Sequence, residues 1–313
     1  MTTTKYKLNN QVVLISGGSQ GLGKEYAKKF YRQSNSTVII VSRSVANLKE
    51  AATEITGGKR FSKLNAYPKN SRLYYYACDL SNYEAVQELF TIIDQKAFEL
   101  TQVLICAGGA VPKFFTDLTP EEIAGGVDTN YCTAAFLAHA SLKHGAKHLV
   151  FISSSVALYP FIGYSQYAPA KVGIRSLVAI LRQEQPDVRI SCVYPGNFAS
   201  EGFVQENRTK PDITTVIEGA SRAISPEECC NKIIKSLQSG CDDITTDFVG
   251  WILLACTMGF NGHNTKYSLW PIGWLFGAIA NLLIVPIYML FCWYDIIKWR
   301  RRQQRAKEEA KAN

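Results

Sequence analysis

The chain has 313 residues, 47% apolar and 19% charged, with nine cysteines and four histidines. That length can bury an ample core as one large domain or two small ones, while the lack of any Cys-x-x-Cys spacing and the scarcity of histidine argue against a metal site or a disulfide scaffold. Of the net charge of +8, residues 298–313 supply +5 (seven Lys or Arg against two Glu), so the basic excess belongs to a tail and not to a nucleic-acid-binding face.

The opening residues, MTTTKYKLNNQ, are too polar for a signal peptide. Gln11–Ser16 (QVVLIS) reads as a buried strand and runs into Gly17-Gly18-Ser19-Gln20-Gly21-Leu22-Gly23, followed by a helical pattern from Lys24 to Tyr31. Such a cluster is either an ordinary strand-to-helix turn or a cradle in which backbone N–H groups meet a phosphate. The strand before it and the helix after it favour the cradle. Thr37–Ser42 is a second strand. Where a dinucleotide fold that prefers NAD carries an acid against the ribose, this chain has Ser42 and then Arg43, whose guanidinium can hold a 2′-phosphate. Lys24 and Lys49 can add charge, so NADP(H) is expected.

Val45–Thr56 is helical and residues 57–70 form a basic loop. Leu73–Cys78 is a third strand ending in Asp79-Leu80, where the aspartate either accepts from an adenine amino group or caps the next helix. Helix Tyr83–Phe98 leads to strand Gln102–Cys106 and then to Ala107-Gly108-Gly109, small enough for a ribose to lie against backbone. Thr119-Pro120-Glu121-Glu122 opens a long helix to about Lys143. Inside it Asn130, a poor helix residue, either relays protons through water to Lys171 or bonds a neighbouring carbonyl.

His148–Ile152 is a strand that delivers Ser153 and Ser154. Tyr167 and Lys171, four apart, share one face of the next helix. Reduction of a carbonyl needs such a set. The alkoxide must receive a proton from a positioned acid, a nearby cation should lower the tyrosine pKa from about 10, and Ser154 can fix the substrate oxygen. Alone, Tyr-x-x-x-Lys is weak, and Tyr294 and Lys298 repeat it at the end of an apolar run. Its weight comes from convergence: Gly17, Asp79, Gly108, Ser154 and, after strand Arg189–Tyr194, Pro195-Gly196 all fall at strand C-terminal ends. Six strands alternating with helices predict an α/β, doubly wound parallel sheet of Rossmann type, with ligand at those ends. Residues 197–217 read as a lid, and Ser225-Pro226-Glu227-Glu228 opens a helix to about Ser239.

After Asp247 the character changes. Phe248–Phe260 is apolar but about half the length of a span, and Tyr267–Tyr294 is uncharged and long enough, with Pro286 a kink and Asn281 its one strongly polar group. Trp270, Trp274, Trp293 and Tyr294 resemble interfacial anchors, and Lys298-Trp299-Arg300-Arg301-Arg302 a cytosolic flank. The expected organisation is therefore a catalytic NADP(H)-binding domain over 1–246, a C-terminal membrane-associated helical segment over 247–297 and a basic cytosolic tail over 298–313. A cytosolic domain with a cytosolic tail requires a hairpin or a dip into one leaflet.

From Leu8 to Leu237 the chain resembles the short-chain dehydrogenase/reductase family, on its glycine spacing, Asn130, Ser154, Tyr167, Lys171 and Pro195-Gly196. The resemblance implies Tyr167 as proton donor, Ser154 orienting the carbonyl, Lys171 on the nicotinamide ribose and Asn130 in a proton relay. It implies cofactor contacts from Gly17, Ser19, Gln20, Gly21, Leu22, Gly23, Arg43, Lys49, Asp79, Leu80, Ala107, Gly108, Pro195 and Gly196, with Ser200 holding the carboxamide. Two departures are Ile105-Cys106 in place of a pair of asparagines and Ser16 in place of threonine. The wording of the lid, Gly202-Phe203 through Glu206-Asn207-Arg208-Thr209-Lys210-Pro211, is similar to that of fungal members that act on a long-chain sphingoid ketone. That implies NADPH-dependent reduction of such a ketone at the cytosolic face of the endoplasmic reticulum membrane, by a homo-oligomer if the family's common four-helix dimer holds. Alternatives are a membrane reductase of a 3-ketoacyl-CoA or a steroid, and a non-catalytic NADP(H)-binding membrane scaffold.

Overall fold

A computed structural model describes residues 6–66, 71–219, 222–257, 259 and 270–312. The expected strands form: β1 (Val12–Ser16), β2 (Thr37–Ser42), β4 (Leu73–Ala77), β5 (Gln102–Ile105), β6 (His148–Ile152) and β7 (Arg189–Tyr194). Two short ones are added at the sheet edges, β3 (Ser62–Lys63) inside the basic loop and β8 (Asp243–Thr245). All pairings are parallel, in the order β3-β4-β2-β1-β5-β6-β7-β8. The inner strands are unbroken apolar runs because both faces are covered, one around Leu14, Ile39, Leu137 and Phe151, the other around Ile15, Ile40, Tyr26 and Ile233. Chain order reverses between β1 and β5, so a crevice opens at the carboxyl ends there.

The helices between strands are α1 (Gly21–Arg32), α2 (Val45–Thr56), α3 (Tyr83–Gln95), α4 (Pro120–Val127), α5 (Thr133–Lys143) and α6 (Ala168–Glu184). Thr119 caps the start of α4, as the sequence predicts, and Glu122 completes a reciprocal capping box with it. The long helix to Lys143 is not regular, however. Asp128–Cys132 forms a π-helical turn between α4 and α5, and Asn130 sits in it, fully buried.

The lid folds as α7 (Glu201–Glu206) and α8 (Asp212–Glu218), followed by α9 (Pro226–Gln238). Beyond β8 come α10 (Phe248–Cys256), α11 (Trp270–Leu283) and α12 (Val285–Ala312). The bend between the last two is 47°. Pro286 explains it, since a proline in the first turn of α12 cannot donate back to the last turn of α11. Asn281, the polar residue in the apolar run, donates to the Cys256 carbonyl at 2.9 Å and so satisfies the end of α10. No single described helix is long and apolar enough to cross a membrane, though the bent pair passes that test together. The basic stretch after residue 297 continues α12 without a break.

Candidate active site

The glycine turn between β1 and α1 is built to be narrow. Gly17 has φ +65°, and a Cβ on Gly23 would lie 2.4 Å from the Gly17 carbonyl oxygen, so neither position tolerates a side chain. Ser16 holds the opposite wall: its hydroxyl accepts from Cys106 N at 2.9 Å and Ala107 N at 3.1 Å, tying β1 to the turn after β5. Ile105, in the position of a family asparagine, is 1% exposed and simply joins the apolar core.

Around this turn runs a cleft of about 270 Å³ lined by Gly17, Ser19, Gln20, Gly21, Leu22, Gly23, Ser42, Arg43, Asp79, Leu80, Ala107, Gly108 and Ser200, among others. Two observations test whether it suits a dinucleotide. The first amide of α1, Gly21 N, already takes an anion, the Glu201 carboxylate at 3.0 Å. The Ser42 hydroxyl, beside Arg43, is buried without a hydrogen-bond partner. An anion-binding helix end and an orphaned hydroxyl next to a guanidinium both fit a cofactor bearing a pyrophosphate and a 2′-phosphate.

Next to the cleft wall, Asn130 and Lys171 meet at Gly108. A Cβ there would be 2.8 Å from Asn130 Oδ1 and 3.1 Å from Lys171 Nζ. Asn130 Oδ1 accepts from Gly109 N at 3.0 Å, and Nδ2 donates to the Gly109 and Gly126 carbonyls at 2.9 and 3.0 Å. Of its two expected roles the carbonyl bond is thus present, and it fixes the backbone against Lys171. Lys171 Nζ donates to the Ile152 carbonyl at 3.0 Å, and the Ser153 hydroxyl donates to the Lys171 carbonyl at 3.0 Å, locking α6 to the end of β6. Tyr167 caps α6 one turn before Lys171, whose ammonium lies 5.4 Å from its ring centroid. The Ser154 hydroxyl lies close enough to the Tyr167 phenol to favour its ionised form.

The electrostatics depart from expectation. Burial pushes Lys171 down to about 8, with the neighbouring Cys192 and Cys106 thiols pulling the other way. Tyr167 is pushed up, first by burial and then by the Glu206 carboxylate, against the smaller effect of Ser154. A lysine was expected to lower the tyrosine. Here its ammonium lies over the ring and spends a hydrogen bond on Ile152, so desolvation wins. At neutral pH the phenol therefore stays protonated, the form that can donate.

The lid closes from above. Ser200 caps α7, accepting from Phe203 N at 3.2 Å, and Glu201 reaches the first turn of α1, also lying 3.6 Å from Lys24. Lys24 is held more closely by Glu54 at 2.9 Å. Glu206 accepts from the Tyr164 phenol, and Tyr164 lies 6.1 Å from Tyr167 between ring centroids.

Most expected residues come together, with three adjustments. Lys49 is exposed and does not line the cleft, because on α2 it is two residues, or ~200°, around from Asn47, which does. Asp79 lines the cleft but accepts from the amide and hydroxyl of Ser81 at 3.0 and 2.7 Å, while Asn82 caps α3, so the helix-capping role falls to another residue. Pro195 and Gly196 stand at the end of β7 without lining the cleft. They brace it, Pro195 accepting from Ser155 N at 3.1 Å and Gly196 donating to Thr246 Oγ1 at 3.1 Å. Sequence reasoning missed Glu201 and Glu206 as site residues. Glu201 acts 180 positions from its partner, a contact that leaves no local pattern.

Residues 11–211 match the short chain dehydrogenase family model. The chain is 59% identical over 309 residues to 3-ketodihydrosphingosine reductase TSC10 of Eremothecium gossypii, covering 99% of this chain and 100% of that protein. It is 49% identical over 319 residues to the Saccharomyces cerevisiae protein of the same name, covering 97% and 99%. Among solved structures it is similar to the closed form of serine dehydrogenase complexed with NADP+, with TM-score 0.63, 18% identity and coverage of 82% and 99%. A short-chain type dehydrogenase/reductase from Mycobacterium marinum gives TM-score 0.65 at 20% identity, covering 77% and 95%. At those identities the structural likeness speaks to the fold alone.

Proposed function

The chain belongs to the short chain dehydrogenase family, and from that premise we infer that it reduces the 3-keto group of 3-ketodihydrosphingosine to dihydrosphingosine with NADPH. The observation that carries this reading is the meeting of Asn130 and Lys171 at Gly108, with Ser154 and Tyr167 close by, next to a glycine-walled cleft. Gly17 to Gly23, Ser42 and Arg43 would hold the cofactor, which when bound supplies the hydride. Ser154 orients the ketone oxygen. Tyr167, kept protonated by burial, gives its proton to that oxygen as it becomes an alkoxide. Lys171, held beside the ring, supports the phenolate left behind, and Asn130 keeps the Gly108–Gly109 backbone in place against it.

A long alkyl chain has a route away from Tyr167. Val156, Tyr164, Ala168 and Phe161 form an apolar cluster with it, and Phe161 also joins Ile213, Ile217 and Cys292, where lid helix α8 meets α12. The strip leads towards α11 and α12, which expose Ile272, Leu275, Leu282, Leu283, Leu290 and Phe291. These two helices seat the protein in the endoplasmic reticulum membrane, with the catalytic domain facing the cytosol. At 14 residues α11 reaches only ~21 Å, short of a bilayer core of roughly 30 Å. A dip into one leaflet, turning at the 47° bend, keeps domain and basic end on one side. Alkaline extraction and protease protection of the C-terminus test this: a protected C-terminus refutes the dip. A second copy covers the apolar groove lined by Phe136, Leu142, Leu177 and Leu181 between α5 and α6, which light scattering in detergent checks.

The reaction itself is tested by NADPH consumption by detergent-purified protein with 3-ketodihydrosphingosine, a 3-ketoacyl-CoA and a ketosteroid, beside Tyr167→Phe. Turnover of the sphingoid ketone that is lost in Tyr167→Phe supports the reading. Preference for another ketone replaces the substrate, and NADPH binding without turnover of any ketone replaces the enzyme with a binding protein.

A further inference from the structure

Beside Tyr167 lies a charge cluster that proton donation does not use. Glu206 ends α7 with its side chain 18% exposed, and it accepts a hydrogen bond from the Tyr164 phenol. Lys210, 4% exposed, places its ammonium 3.3 Å from Glu206 but 2.8 Å from Glu218. Glu218 also accepts from Asn197 Nδ2 at 2.7 Å. One ammonium thus serves two carboxylates and is nearer to Glu218, so the cluster carries one negative charge in excess, with Glu206 the less neutralised member.

A largely buried carboxylate with part of a counter-ion is unfavourable unless something completes it. Its place makes it more so. The Tyr164 ring that holds Glu206 is 6.1 Å from the Tyr167 ring, and the Glu206 charge opposes ionisation of the Tyr167 phenol. A proton donor works against such a neighbour until a cation comes between them. The sphingoid ketone brings one, because the carbon next to its carbonyl bears an amine. With the carbonyl oxygen on Ser154 and Tyr167, that amine lies one carbon from the reacting centre.

We propose that Glu206 binds the ammonium group adjacent to the substrate ketone and thereby selects 2-amino ketones over ketones of equal length without a charged amine. The inference rests on the sphingoid-ketone reading above. An ammonium there neutralises the excess charge, removes the opposition to Tyr167 ionisation and places a positive charge beside the forming alkoxide. Glu206 is then a specificity residue that acts on the substrate directly. Lys210 limits its charge, so that an amine can be released again.

The test compares 3-ketodihydrosphingosine with its 2-deamino counterpart, the same chain with hydrogen in place of the amine, on full-length detergent-purified protein. The readout is the ratio of kcat/KM for the two ketones in wild type, Glu206→Gln and Glu206→Asp, with thermal melting and NADPH titration as checks of folding. Loss of one charged hydrogen-bond partner should lower the ratio roughly 10- to 100-fold in Glu206→Gln. Glu206→Asp, which keeps the charge, should hold it within a few-fold of wild type. An unchanged ratio in Glu206→Gln, both ketones losing equally, overturns the inference and leaves the function standing. A wild type that reduces neither ketone overturns the function and this inference with it. If Glu206→Gln melts early, the aspartate variant decides: a ratio collapsed despite retained charge refutes the assignment.

Discussion

Lys171→Met should stabilise the cofactor-free protein while abolishing its chemistry. Lys171 is 3% exposed, and burial moves its pKa from an ordinary 10.5 to about 8. At 1.36 kcal/mol per pH unit, holding the proton at pH 7 costs roughly 3 kcal/mol relative to the unfolded chain. Methionine removes that cost but leaves the Ile152 carbonyl without its 3.0 Å donor, a loss of about 1–2 kcal/mol. The net expectation is a gain of about 1–2 kcal/mol at pH 7. The sign with pH follows from proton counting. Between about 8 and 10.5 the unfolded chain holds the lysine proton and the folded chain does not, so wild-type stability rises with pH across that window. The variant lacks this rise. Melting both proteins in detergent from pH 7 to 10.5 should show the variant ahead at pH 7 and wild type overtaking it by about pH 10, a relative swing of roughly 3 kcal/mol or several degrees. Parallel curves, or a variant less stable at every pH, would refute the picture of Lys171 as a charge held against its solvation.

Two further substitutions test the cofactor cleft. Arg43→Asp should weaken NADPH by roughly 10- to 100-fold through loss of a charge-assisted contact and NADH far less, measured by fluorescence titration; equal losses would place Arg43 away from the 2′-phosphate. Glu201→Gln should tighten NADPH by roughly 3- to 10-fold, more at low salt, because the carboxylate at Gly21 N, 3.0 Å away, occupies an anion's place. Weaker binding in Glu201→Gln would mean that the lid contact helps cofactor binding instead of competing with it.

The central strands were legible because a strand buried on both faces needs an unbroken β-branched run, as in Val38 to Val41. At two and three residues, β3 and β8 are too short to carry any pattern, and both lie at sheet edges. The π turn at Asp128–Cys132 was hidden for another reason. It adds a residue to one turn without changing composition, and Asn130 was its single visible trace. Site residues at strand ends could be found since topology alone brings those ends together. Lys49 failed because proximity along a helix is not proximity in space: its neighbour Asn47 faces the cleft. The rise in the Tyr167 pKa comes first from burial and then from Glu206, which the lid supplies from 39 residues away in the chain; neither leaves a local pattern.

The lid is where sequence reasoning missed two residues of the site, Glu201 and Glu206. Its first helix reaches the cofactor cleft through Glu201 and the reacting centre through Glu206. Its second is tied to the C-terminal helix: Trp299 Nε1 donates to Asp212 at 2.9 Å, the Tyr288 phenol donates to the Ile217 carbonyl at 3.4 Å, and Ile213 and Ile217 pack with Cys292. Those contacts place α12 in direct support of lid helix α8. The apolar end of this chain is therefore a structural neighbour of the active site, and a shift of α12 acts on α8 without an intermediary. Removing α12 should accordingly impair reduction of the amino ketone even for protein kept soluble in detergent, because the lid would lose the surface it is built on.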